Sequence, residues 1–246
     1  MFEKEIAQLK EAIDESKEIC VFTGAGISCP SGIPDFRSAD GLYNESGTGG
    51  FLPEEIISHS FFVEHTALFY DFYKSKMMYP NAKPNKAHIF FSKLQAKGKN
   101  VSVVTQNIDG LHTDAGSKYV FELHGSIRRN YCTNCGAFYD EKYVYSSIGV
   151  PVCKKCGGII KPDVVLYEEP LCEETVNGAV DAIKKAECLI VVGTSLAVYP
   201  AASFLRFFRG KTLALINKSP TPFDGTANIV INDDIVRITE ALCGEN

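Results

Sequence analysis

Four cysteines constrain this chain more than any other feature. Cys132 and Cys135 are separated by two residues, Cys153 and Cys156 by two more, and seventeen residues lie between the pairs. Each Cys-x-x-Cys turn presents two thiolates on one side, and two such turns supply the four soft donors that tetrahedral zinc takes. Four thiolates close the shell, which leaves no position for water or substrate. A structural zinc is therefore expected. The other cysteines, Cys20, Cys29, Cys172, Cys188 and Cys243, are scattered, and the total of nine is odd. An odd count, with a charged Met1-Phe2-Glu3-Lys4-Glu5 start and no apolar leader, does not fit a disulfide framework. A soluble, unexported, cytoplasmic protein is the expectation.

Around this insert, short apolar runs alternate with helical patterns. The runs are residues 19–22, 101–104, 120–123, 164–166, 189–192 and 213–216. Amphipathic or aromatic helical stretches cover 3–16, 53–78, 85–97, 173–186 and 234–243. The aromatics of 53–78, among them Phe61, Phe62, Phe69, Tyr70, Phe72 and Tyr73, are expected in a core. The runs are mainly apolar, interrupted only by Ser102 and Glu122, instead of alternating, which predicts a parallel sheet covered on both faces. Residues 38–52, with Gly41, Gly47, Gly49 and Gly50, are expected to form a mobile loop. At 246 residues the chain suits one large domain carrying a smaller one. Its formal charge of −5 gives no general attraction for nucleic acid or anionic membrane. No apolar run approaches the ~20 residues that span a bilayer.

The polar and glycine-rich segments fall where strands end: Thr23–Ser28, Thr105–His112, His124-Gly125 and Gly193–Ser195. Parallel sheets bind ligands at the carboxyl ends of their strands, so these four ends are expected to line one crevice. Gly24-Ala25-Gly26 suits a tight turn where backbone meets a pyrophosphate. The third glycine of the dinucleotide fingerprint is missing, since Cys29 stands there, and Pro30, Gly32 and Pro34 prevent an immediate helix. That speaks against an ordinary dehydrogenase. His124 has the titration range of a general base. Asn107 and Asp109 could offer an amide and a carboxylate to one ligand, and Arg37, after Pro34-Asp35-Phe36, could reach a phosphate.

In order along the chain stand Gly24-Ala25-Gly26-Ile27-Ser28, Gly32-Ile33-Pro34-Asp35-Phe36-Arg37, Thr105-Gln106-Asn107-Ile108-Asp109-Gly110-Leu111-His112, Glu122-Leu123-His124-Gly125, the four cysteines, and Gly193-Thr194-Ser195-Leu196-x-Val198-Tyr199-Pro200-Ala201. From about residue 10 to residue 243 the chain resembles the sirtuins, the NAD-dependent protein deacylases. The resemblance implies an α/β fold: a Rossmann-like doubly wound parallel sheet (1–39, 85–126 and 161–246), and a small domain made of a helical insertion (40–84) and a zinc ribbon (127–160). It implies NAD as a co-substrate in the cleft, an acetylated protein or peptide as partner, and no nucleic acid or membrane. It leaves the oligomeric state open. Position by position, it assigns Gly24, Ala25, Gly26, Ser28, Cys29, Asp35, Phe36 and Arg37 to the cofactor loop, and Gln106 to the nicotinamide ribose. Ile108 and Asp109 fall to the nicotinamide carboxamide, Thr194, Ser195, Asn217, Asp234 and Ile235 to the phosphate and adenosine end, and Asn107 and Gly193 to the cofactor set at large. His124 matches the general base. Val164, Val165, Tyr167, Glu168 and Val198 match the substrate-pairing segments. The reaction implied moves the acyl group of acyl-lysine to ADP-ribose and releases nicotinamide. Mono-ADP-ribosyl transfer, or a non-catalytic binding module, are the other classes to weigh; retention of His124 and Asp109 favours deacylation.

Two departures stand out. The family's Phe-Gly-Glu is Tyr167-Glu168-Glu169 here, and the extra carboxylate suggests a preference for basic peptides. Relatives that remove succinyl or malonyl groups carry Tyr-x-x-Arg in the helical insertion. Here Tyr70 is followed by Tyr73, which predicts acetyl over succinyl unless Lys74 takes the arginine's place.

Overall fold

The computed structural model describes residues 2–35, 41, 49–197 and 200–244. Its strands are β1 (Glu18–Thr23), β2 (Asn100–Thr105), β3 (Tyr119–Glu122), β4 (Gly125–Cys132), β5 (Phe138–Tyr139), β6 (Ile160–Val164), β7 (Cys188–Val192), β8 (Thr212–Ile216) and β9 (Ile229–Ile231). Six of them form one parallel sheet in the order β3-β2-β1-β7-β8-β9. The order reverses beside β1, which puts the switch point of a doubly wound sheet at the carboxyl ends of β1, β2 and β7.

The helices are α1 (Glu3–Glu15), α2 (Pro53–Ile56), α3 (His59–Glu64), α4 (Thr66–Phe72), α5 (Lys86–Ala96), α6 (Leu111–Asp114), α7 (Glu141–Ser146), α8 (Glu173–Lys185) and α9 (Ile235–Cys243). Successive strand residues point to opposite faces. Ile19 and Val21 of β1 therefore pack with Leu9 and Ile13 of α1, Phe90 and Leu94 of α5, and Ile238 and Leu242 of α9. Cys20 and Phe22 pack on the other face with Ala179 and Ile183 of α8 and with Phe204 and Leu205. Both faces are dry, so the strands read as mainly apolar runs. Helix ends are satisfied locally. The Asn85 side chain accepts the Ala87 N–H at 3.0 Å to start α5, and Asp234 accepts the Val236 N–H at 2.9 Å to start α9.

A second, antiparallel sheet has the order β5-β4-β6. It shares one core with the helices of 53–78. Phe61, Phe62, Phe69, Tyr70, Phe72 and Tyr73 pack with Ile127, Val144, Ile160 and Val164, so the aromatic run is core, as expected. Lys74 joins the two parts. Its ammonium donates to the Ser147 carbonyl, the Ser147 hydroxyl and the Gly149 carbonyl at 2.6–2.8 Å.

Four strands differ from expectation, among them the two-residue β5, too short to show as a run. The run at 164–166 is not a strand; β6 lies earlier, at Ile160–Val164, where Pro162 disguises an alternating pattern. Proline fits there because β6 is an edge. The polar strand β4 was not expected. Its Arg128 and Arg129 are held by Asp114, Glu122 and Asp163. At three residues β9 was too short to stand out as an apolar run. Among the described residues no helix is long and apolar enough to cross a membrane.

Candidate active site

The four strand ends meet. Gly24 donates its N–H to the Val192 carbonyl at 3.1 Å, and Gly26 donates to Gly193 at 2.8 Å. A Cβ on Gly26 would lie 2.8 Å from the Gly193 Cα, and one on Gly193, whose φ is +60°, would lie 2.4 Å from the Ile27 nitrogen. Here two backbones touch, and only glycine permits it. This corrects the expected use of Gly24 and Gly26. Their amides are committed to the end of β7, so their glycine character serves backbone packing and their N–H groups do not face a phosphate.

His124 follows β3 at the edge of the crevice, half-buried. Its Nδ1 lies 2.9 Å from the Gln106 carbonyl. A carbonyl can only accept, so Nδ1 carries the proton and Nε2 is left with a free lone pair. Burial holds the imidazole pKa below its ordinary value, against the opposing pull of the Gln106 carbonyl. His124 is therefore neutral at physiological pH with Nε2 as its basic nitrogen. Gln106 is fixed in turn by a bond from its amide to the Thr194 hydroxyl at 3.1 Å, which ties the ends of β2 and β7.

Behind His124 lies a polar cluster. Asn107 donates to the Gly24 carbonyl at 3.2 Å and to the Ser28 hydroxyl at 3.1 Å. Ser28 donates to Asp109 at 2.7 Å, and the other Asp109 oxygen accepts the Leu111 N–H at 2.8 Å. Burial pushes the Asp109 carboxyl up, while those two hydrogen bonds hold it down. The Ile108 carbonyl is taken by the Ile127 N–H. Thr23 and Thr105, assigned no role from the sequence beyond opening two of the strand-end segments, cross-link the strand ends at 2.9 Å, and Thr105 accepts the Asn107 N–H at 3.0 Å. Their only signal is a threonine closing each of two adjacent apolar strands. Cys29 is partly buried beside the Ala25 carbonyl and Asp35; burial and then the Asp35 charge push its thiol up, so it is not a reactive thiolate. Phe36, Arg37, Val198 and most of the glycine-rich loop at 38–52 lie outside the described residues.

At the far end, Thr194 is buried and Ser195 exposed. Asn217 bonds the Ser219 carbonyl at 2.7 Å. Asp234 caps α9 and pairs with Lys218 at 3.0 Å; burial raises its carboxyl, but Lys218 more than offsets that. Any service of Ile235 to the adenosine end falls to its backbone. Its side chain is buried in the sheet's core and does not line the crevice.

The segment after β6 also differs from expectation. Val164 is buried in the small domain's core. Val165 donates its N–H to the His124 carbonyl. Tyr167 exchanges both backbone groups with its neighbours, donating to Ile57 and accepting from His59 at 3.0 Å each, so position 167 has no backbone group left for a peptide. Glu168 adopts φ +75°, which explains why glycine suits this position. Its carboxylate accepts from the Ser60 N–H at 2.9 Å and hydroxyl at 3.0 Å, at the start of α3. Glu169 is held by Lys161 at 3.0 Å and His59 at 2.8 Å. The expected pair of free rim carboxylates is thus engaged within the protein. Lys74, the alternative cation for an acidic acyl group, is equally engaged, at the Ser147–Gly149 turn.

The four cysteine sulfurs lie within 4.8 Å of one another. Sulfurs around tetrahedral zinc at ~2.3 Å would sit somewhat under 4 Å apart, so the cluster fits that metal. Each pair ends in a glycine of positive φ, Gly136 and Gly157, whose N–H closes the turn onto Cys132 or Cys153. The Asn134 and Lys155 N–H groups and the Tyr139 hydroxyl point at the sulfurs, as needed to carry thiolate charge.

Residues 24–200 match the Sir2 family. A Clostridium perfringens protein named NAD-dependent protein deacetylase is 59% identical over 95% of this chain and 96% of its own. One from Clostridium acetobutylicum with the same name is 52% identical over 96% and 97%. Among solved structures, Sir2 with a p53 peptide and NAD+ superposes with a TM-score of 0.84 at 38% identity, covering 98% of both chains. Sir2 with deacetylated p53 peptide and 3′-O-acetyl-ADP-ribose gives 0.88 at 37%, again covering 98% of both.

Proposed function

The chain belongs to the Sir2 family, and on that premise we propose that it is an NAD-dependent protein-lysine deacetylase, transferring the acetyl group of acetyl-lysine to ADP-ribose with release of nicotinamide and O-acetyl-ADP-ribose. The observation that carries this reading is the His124–Gln106 contact, which leaves a neutral imidazole with a bare Nε2 beside the strand ends. NAD, consumed as a co-substrate, supplies the electrophilic sugar carbon when bound. The polar groups of Asn107, Asp109, Ser28 and Gln106 suit its nicotinamide and ribose, and Thr194, Ser195, Asn217 and Asp234 suit its phosphate and adenosine end. Gly24, Ala25, Gly26, Cys29 and Asp35 fall to the cofactor loop in this reading, the family resemblance adds Phe36 and Arg37 to the set, and Gly193 permits close backbone packing against Gly26. His124 takes the proton from a ribose hydroxyl. Holding acyl-lysine and sugar carbon in one cleft replaces a bimolecular encounter by positioning.

Zinc, held by Cys132, Cys135, Cys153 and Cys156, keeps the small domain's wall in place and takes no part in the chemistry. The division into 1–39, 85–126 and 161–246 against 40–84 and 127–160 belongs to this reading, with Gly125–Ser126 and residues 161–164 as the seam. Substrate contacts fall to Val165, Glu168 and Val198, with Tyr167 offering its half-exposed ring. A groove of about 480 Å³ beside Glu168, lined by Phe61, Tyr167, Glu54 and Glu64, favours basic flanking residues. The cytoplasm is the compartment that suits reduced thiols and an NAD supply.

The test is incubation with NAD and an acetyl-lysine peptide, read by mass spectrometry. Nicotinamide, free lysine peptide and O-acetyl-ADP-ribose are expected. ADP-ribosylated protein without deacetylation would replace this reading with the transferase one.

A further inference from the structure

Two histidines lie behind the site with no role in the chemistry above. His88, in the first turn of α5, and His112, in α6, are both buried, and their rings meet edge to face with centroids 4.8 Å apart. The Nε2 of His88 and the Nδ1 of His112 are buried without a hydrogen-bond partner among the described residues. Orphaned ring nitrogens at such depth are costly unless they complement each other.

The neighbouring bonds determine which nitrogen carries each proton. Asn85 donates its N–H to His88 Nδ1 at 3.4 Å, so that atom is bare and a neutral ring carries its proton on Nε2. Thr23 donates its one hydroxyl proton to Thr105 at 2.9 Å, so its contact at 3.1 Å with His112 Nε2 requires that nitrogen to donate. His112 Nδ1 is then bare. One orphan is a donor and the other an acceptor. Both rings are neutral, because burial pushes His88 down to about 4 and His112 well below its ordinary value, with His88 adding to the effect on His112.

We propose that His88 and His112 are positioning residues: both in the Nε2–H form, they join His88 Nε2–H to His112 Nδ1 through one ordered water, and complete a strut that sets the spacing of the NAD pocket. At one end Asn85 grips the glycine-rich turn through the Ile27 carbonyl at 2.8 Å and the Ser31 hydroxyl at 2.9 Å. At the other, His112, Thr23 and Thr105 lead to the Asn107 N–H, and Asn107 grips the same turn at Gly24 and Ser28. The strut closes a ring around residues 24–31. Its loss would let the turn and the 105–109 segment drift apart while leaving the peptide-facing edge, on the other side of His124, intact.

The link to NAD rests on the proposed deacetylase reading; the proton placement does not. The first experiment is long-range proton–nitrogen NMR on histidine-labelled protein at about pH 7, assigned with H88Q and H112Q. Both rings should show a protonated Nε2 and a bare Nδ1. A protonated Nδ1 on His112 would overturn the strut. The second compares His88→Phe with His88→Gln, whose amide restores a donor where Nε2 stood. His88→Phe should raise the KM for NAD about tenfold and leave that for the peptide within about twofold, and His88→Gln should stay within about threefold of the parent. Equal losses in the two variants, or NAD and peptide KM rising together, would overturn the positioning role. A parent enzyme that does not deacetylate would instead overturn the functional reading, and the spectra would still decide the proton placement.

Discussion

The cysteine cluster and the strand-end crevice hold chain segments together in opposite ways. In the small domain, two turns of five residues each, Cys132–Gly136 and Cys153–Gly157, bring four sulfurs to one point, and a single ion is the fastener. In the crevice, no local pattern suffices. Thr23 meets Thr105, Ser28 meets Asp109, Gln106 meets Thr194, and these bonds join residues 82, 81 and 88 positions apart. One region therefore depends on a metal that can be withdrawn, the other on a distributed polar network that yields only piecemeal.

The sharpest way to break this contrast is at the metal. Cys135→Ala should abolish zinc retention and lower activity at least ~100-fold, because structural zinc supplies ~10–16 kcal/mol of apparent binding in small modules. Metal analysis together with hydrogen exchange should show the small domain opening while the parallel sheet stays protected. Zinc retained at full occupancy would show that three sulfurs suffice.

Next in size is His124→Ala. Loss of a general base should lower kcat by ~10²–10⁴-fold, with zinc content unchanged and NAD affinity within about tenfold. The pH profile carries a sign. Burial lowers the His124 pKa, so the base remains unprotonated below the usual imidazole range. The acid limb of kcat should accordingly lie below ~6.5. A limb above that value, removed by His124→Ala, would contradict the burial argument.

The acyl group comes third. Lys74 is bound to Ser147 and Gly149, and Tyr73 is buried in the aromatic core, so neither offers a cation to an acidic acyl tail. An unpaired buried carboxylate costs several kcal/mol, so acetyl-lysine should exceed succinyl-lysine by ~100-fold or more in kcat/KM. Parity between the two on one peptide would mean that another cation reaches the channel.

The smallest effect is expected at Glu168→Gly. Relief of the left-handed conformation is worth ~1 kcal/mol, and loss of the two bonds to Ser60 offsets it by a similar amount. Stability should stay within ~1 kcal/mol, and any preference for basic peptides should weaken by no more than a few fold at low salt. A thermal melt and paired peptide assays would check both.

The same contrast decides what could be read from the sequence. Zinc ligands were legible because their spacing is the geometry. The strands β1, β2, β7 and β8 were legible because both faces of the sheet are dry. His124 stood out because it ends a strand. By comparison, β4 was hidden by its arginines, whose carboxylate partners come from elsewhere in the chain. The engagement of Glu168 and Glu169 could not be seen, because Ser60 and Lys161 approach them only in the folded protein. Gly24 and Gly26 were recognised as glycines that mattered, but their reason was a backbone contact with Gly193 that lies far along the chain.

Lys74 carries a last consequence, for modularity. The cysteine ribbon has the look of a portable cassette, a short segment with its own metal. Yet its Ser147–Gly149 turn is capped by an ammonium from a helix encoded more than seventy residues earlier, and the Ile160 carbonyl receives the Tyr70 hydroxyl from that same helix. Grafting 127–160 from a relative into this scaffold would strand both donors unless residues 70–74 travelled with it. The two insertions are separated by two strands of the large sheet, β2 and β3, but in recombination they behave as a single heritable piece.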